Sequence, residues 1–170
     1  MVKVWDPAVR ILHWALVVAF VVAWFSHGGY LGVHRWSGYA IAALVAARIA
    51  WGVVGSRHAR FADFVTGPGT LSSYMGALLR GREARYVGHN PAGGAMIVTL
   101  LVLLSALCIT GFMLDTPRYR DDRDFKQVHD LLTDATVLCI VLHLVGVAYA
   151  SWRHHENLVA AMITGRKRES

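Results

Sequence analysis

Residues 128–152 read VHDLLTDATVLCIVLHLVGVAYASW, and no charged residue follows Asp134 in that stretch. As a helix rising about 1.5 Å per residue, it is long enough to cross the ~30 Å hydrocarbon core of a bilayer. Two histidines, His129 and His143, interrupt the apolar run. They are 14 residues apart, which at about 100° per residue falls about 40° short of four full turns. They therefore share one face, separated by ~21 Å along the axis. An ionisable side chain inside a membrane helix is costly, and it usually turns toward the bundle interior or a partner.

Three more apolar stretches extend this reading along the chain. The expected spans are about 7–26, 34–55, 91–114 and 128–152. Asp6-Pro7 and Asn90-Pro91 write two of the helix starts, each a capping side chain followed by proline at the first helical position. The composition agrees: 55% of the 170 residues are hydrophobic and 16% charged, against about 25% charged in soluble domains. That balance excludes a water-soluble globule and a disordered chain. Two cysteines inside apolar runs exclude a disulfide scaffold.

The net charge of +6 is dispersed in short segments between the apolar stretches, which argues against nucleic acid as a partner. Eleven Lys/Arg fall in the N-terminus, the 56–90 loop and the C-terminus, and five lie on the opposite side: Arg35, Arg118, Arg120, Arg123 and Lys126. The positive-inside rule then predicts cytoplasmic termini. One domain over 1–170 is expected, with an amphipathic inner loop at 56–90 and a basic cytoplasmic tail at 153–170. LSSYMGALLRGR in the loop and ENLVAAMITG in the tail read as interfacial helices.

The up-down order of the spans sets the depth of the histidines. His13 in span one comes level with His143, near the inner surface, and His34 at the start of span two comes level with His129, near the outer one. His27, in the turn SHGGYLG, is the rival to His34. His27, His58, His89, His154 and His155 lie outside the spans and read as solvated. Two imidazoles per level are too few for zinc, which takes three or four protein ligands. Haem iron needs only two axial ligands. No Cys-x-x-Cys-His motif occurs, so covalent attachment is not indicated. The expected fold is all-α, an up-down-up-down four-helix membrane bundle enclosing two non-covalent b-type haems. Arg48 and Arg10 are expected on the inner haem's propionates, and Gly38 beside the ring of the outer one. Gly111 and Gly146 are further small residues that would admit a macrocycle.

WDPAVRILHW (5–14), HRWSGY (34–39), GSRHARFADF (55–64), GHNPAGG (88–94), the segments around His129 and His143, and the tail HENLVAAMITGRKR together resemble the bacterial cytochrome b561 and nickel-iron hydrogenase cytochrome b family. The resemblance covers nearly the whole chain. It implies a four-helix, di-haem protein of the bacterial inner membrane, with His13, His34, His129 and His143 as axial ligands. It also implies electron transfer between the quinone pool and a redox partner at the outer face, such as a cytochrome c. A superoxide:quinone oxidoreductase is the alternative; it would use the outer cations as an electrostatic funnel. A non-redox membrane anchor is the third reading.

Overall fold

The computed structural model describes residues 1–168. In chain order it contains β1 (Val2–Lys3), α1 (Pro7–Ser26), α2 (Leu31–Val54), a 3-10 turn (Arg57–Ala59), α3 (Phe61–Phe64), α4 (Pro68–Leu79), α5 (Pro91–Leu114), α6 (Arg123–Arg153), α7 (Leu158–Thr164) and β2 (Arg166–Lys167). Four of these helices, α1, α2, α5 and α6, are long and apolar enough to cross a membrane. The chain is an all-α, multi-pass membrane bundle.

The helix starts follow from local chemistry. The Asp6 carboxylate accepts from the Val9 N–H at 3.0 Å, and the Asn90 side chain accepts from the Gly93 N–H at 2.7 Å. Each cap satisfies one of the amide donors that a helix N-terminus leaves without an intrahelical partner. The fourth long helix begins at Arg123, five residues before the expected start at 128. Asp122 caps it, accepting from the Phe125 N–H at 3.0 Å. The charged first turns therefore lie on a helix that runs on beyond the apolar span.

The four spanning helices stand in an open row. α1 packs along α2, α2 along α5, and α5 along α6. No comparable packing joins α6 to α1 or α2, so a cleft separates the ends of the row. The apolar core lies where α1, α2 and α5 meet, around Ala23, Ile41, Val45 and Leu101.

The first residues and the last described ones lie at one end of the bundle, tied together. β1 and β2 pair antiparallel, Val2 opposite Lys167 and Lys3 opposite Arg166. The Val4 N–H donates to the Gly165 carbonyl at 2.9 Å. Gly165 ends α7 with φ +80°, and a Cβ there would meet the Trp5 carbonyl at 2.7 Å. The basic tail carries the expected helix, α7, and its strand β2 is fastened to the N-terminal strand; its last two residues lie outside the described ones. Two buried carboxylates complete this end. Glu156 meets Arg85 at 3.1 Å, and Glu83 meets Arg153 at 3.3 Å. α4 packs on α5, so the expected inner-loop helix is docked on the bundle.

α3 is seated on the first turn of α5 by a close approach. A Cβ on Gly94 would lie 2.5 Å from the Phe64 carbonyl oxygen, a backbone atom that cannot rotate away. Gly94→Ala should therefore cost about 1–3 kcal/mol through overpacking. Its thermal unfolding in detergent should come at lower temperature, whereas Gly67→Ala, with open space at its Cβ position, should be near neutral.

Candidate functional site

The cleft between α6 and the α1–α2 pair holds two histidine pairs at two depths. His13 lies close enough to His143 to feel its charge. His129 likewise feels the charge of His34. The first pair is nearer the termini, the second nearer the far end. All four rings are half-buried. His27 is exposed and turns back on the Trp24 carbonyl of its own helix end, so it does not reach across the cleft.

Hydrogen bonding fixes the tautomer of the far-end pair. His34 Nδ1 lies 2.9 Å from the Ala23 carbonyl, which can only accept, so Nδ1 carries the proton. His129 Nδ1 lies 2.8 Å from Thr110 Oγ1. The Thr110 hydroxyl proton is committed to the Ala106 carbonyl at 2.9 Å, with the Leu107 carbonyl at 3.1 Å. The threonine oxygen must therefore accept, and His129 Nδ1 must donate. In both rings Nε2 is left with its lone pair free, the state a metal ligand requires. Gly111 makes room: a Cβ there would meet His129 Cε1 at 3.3 Å. Gly111 thus admits an imidazole, where the sequence suggested a macrocycle. Gly38 and Gly146 have no atom within 4 Å of a built Cβ, so their flanks are open.

The termini-end pair is held differently. His13 Nδ1 is buried without a hydrogen-bond partner, and the ring stands edge-on to Trp14 at 5.2 Å. The His34–Ala23 bond sets the register of α1 against α2, which puts Arg48 about level with Val9, ~6 Å nearer the termini than His13. Arg48 is 7% exposed, and its Nη1 has no partner. Its guanidinium sits 5.5 Å over the Phe61 ring and feels the charge of Asp6. Asp6 itself is engaged by the Ser56 hydroxyl and by Trp51 Nε1 at 3.2 Å. Arg10 Nε is also buried and unpartnered.

His89 was expected to be solvated, and the structure corrects this. Its ring is wedged between Trp5 at 4.5 Å and Phe64 at 4.7 Å, with Nδ1 buried and unpartnered. Burial pushes its pKa down to about 3, helped by the charges of Arg48, Lys167 and His58 and opposed by Asp63. It is neutral at any physiological pH. His58, also expected to be solvated, is half-buried and lies 3.0 Å from Asp63.

The donor set fits haem. Among the described residues, all five buried side-chain atoms without a partner lie at the termini end: four are nitrogens, on Arg10, His13, Arg48 and His89, and the fifth is Glu83 Oε2. Unpaired guanidinium groups in a low-dielectric setting require anions, and propionates are anions. No group of three or more His, Cys, Asp or Glu able to hold a bare metal ion occurs among the described residues. Paired imidazoles facing across the gap between α6 and the α1–α2 pair suit an iron that brings its own four equatorial nitrogens.

A membrane four-helix bundle with facing histidines in its cleft defines a transmembrane b-type cytochrome. The prokaryotic cytochrome b561 family matches residues 4–165, and the chain belongs to that family. It is a haem-b-binding, multi-pass membrane protein of electron transfer. No curated protein and no solved structure matches it.

Proposed function

We propose that the chain carries electrons across the bacterial inner membrane, between the quinone pool and a redox protein at the outer face. Two haems b would be held by the pairs His13/His143 and His34/His129. The observation that carries this reading is the placement of both pairs across one cleft, each joining α6 to a helix it does not pack against. Bound there, haem would supply one-electron redox chemistry. The chain's own residues bind and orient. The Ala23 carbonyl and Thr110 hold the far-end imidazoles in the ligand tautomer. Arg48 and Arg10 would neutralise propionates at the termini end. The neutral His89 would offer a quinone headgroup a hydrogen-bonding nitrogen beside Arg48.

The charge asymmetry of the sequence supports a cytoplasmic termini end. At the far end two of the five cations are paired with carboxylates, which weakens a funnel for superoxide. Arg35 meets Asp115 at 3.0 Å and Lys126 meets Asp130 at 2.7 Å, while Arg120 donates to the Asp115 carbonyl at 3.2 Å.

The test uses purified protein in sealed vesicles, with a quinol in the bilayer and ferricytochrome c outside. Proteoliposomes with the far end outward should reduce the cytochrome c, and His34→Ala protein should not. Equal rates in both, or reduction only when superoxide is supplied, would sink the proposal.

A further inference from the structure

One spanning helix carries a carboxyl group where a lone bundle has no use for it. The outward stripe of α6 runs Leu131, Asp134, Leu138, Val141 and Val145, at alternating steps of three and four residues. Its four apolar members are each 50% exposed or more, and Asp134 is exposed among them. Alternating three- and four-residue steps make the seam by which one helix packs lengthwise on another.

The depth of Asp134 follows from the Thr110–His129 hydrogen bond, which sets α5 and α6 in antiparallel register. Asp134 is five residues deeper than His129, hence about level with Ser105, ~4 Å from the middle of α5. α5 runs from Pro91 to Leu114 and spans the apolar core. Asp134 therefore stands near the bilayer centre on a face open to lipid. No hydrogen bond or ion pair reaches it among the described residues. The nearby hydroxyls are spent on backbone: Ser105 on the Leu101 carbonyl at 2.7 Å, Thr133 on His129 at 2.9 Å, and Thr136 on Leu132 at 2.7 Å. A carboxyl group at this depth is costly unless it is paired.

A second copy of the chain cannot supply a cation there. Arg48 is buried inside the bundle, His13, His34, His129 and His143 turn into the cleft, and the other Lys, Arg and His side chains lie at the termini end or the far end, where Arg35 and Lys126 are in ion pairs. We propose that the 131–145 face of α6 docks a membrane-spanning helix of another protein, one that presents a Lys, Arg or His side chain to Asp134 at mid-bilayer. In such a seam one polar residue also fixes register, so the partner would be held at a single depth against α6. This inference rests on the membrane fold and not on the haem assignments, so either can fail alone.

The test reconstitutes the full, haem-loaded chain in phosphatidylcholine vesicles with a photo-crosslinking side chain in place of Leu138. Two guest helices are offered, both single-span polyleucine, one with a central lysine and one without. The lysine guest should crosslink about ten-fold more than the plain one. Asp134→Leu should remove that preference while leaving the haem spectrum unchanged. Equal crosslinking of both guests, a preference that survives Asp134→Leu, or copy-to-copy crosslinks that dominate without a guest would each overturn the proposal. The last outcome would mark the face as a contact between copies.

Discussion

Replacing either His13 or His143 by Ala should remove one and the same haem component from the reduced spectrum and leave the other in place. Pyridine haemochrome content should fall from about two to about one per polypeptide. His34→Ala and His129→Ala should together define the second component. The expectation follows from the cleft. α6 contributes one histidine at each depth, and only the partner helix changes, α1 near the termini and α2 at the far end. Loss of one imidazole would remove half of the protein's hold on that haem. The ~21 Å along α6 between the two levels should keep the other site intact. Each of the four variants should also lose quinol-driven cytochrome c reduction, because one redox centre alone leaves most of the membrane uncrossed. If His13→Ala and His34→Ala removed the same component, the pairing would be wrong. A wild-type content of one haem would reject one site outright.

Thr110→Val is the second large effect, and it touches no iron ligand. The far-end haem should be held about 10–100-fold less tightly, as is typical when the hydrogen-bond partner of a ligating histidine is lost. Valine keeps the shape of threonine but offers no acceptor, so His129 Nδ1–H is left half-buried and unsatisfied. Nothing then prevents the ring from turning over. Thr110→Ser keeps the oxygen and should keep the haem. Haem transfer to excess apomyoglobin, followed at the far-end component, separates the cases. Equal transfer from the Val and Ser variants would reduce Thr110 to packing.

The two proline-marked caps made the starts of α1 and α5 legible, because a capping side chain before proline leaves the backbone little choice. Asp122 was hidden among the charges of 115–126, where four aspartates compete for the same role. The 14-residue spacing showed that His129 and His143 share a face, since that is arithmetic on one helix. His89 could not be read locally. Its burial depends on Trp5, 84 residues earlier, and GHNP carries no trace of that contact. Two-residue strands have no periodicity to detect, so β1 and β2 were invisible in VK and RK. The outward position of Asp134 was equally hidden. Sequence reports that a residue is in a span, while only the arrangement of neighbours says which side faces lipid.

The clasp of β1 with β2 makes residues 2–167 almost a closed loop, with Lys3 and Arg166 facing each other across one ladder. Such a loop can be opened elsewhere. A short linker joining β2 to β1 would leave the far-end turn, residues 115–122, as the natural place for new ends. Such a circular permutant would begin with α6 and end with α5, and the helix that serves both histidine pairs would enter the membrane first instead of last.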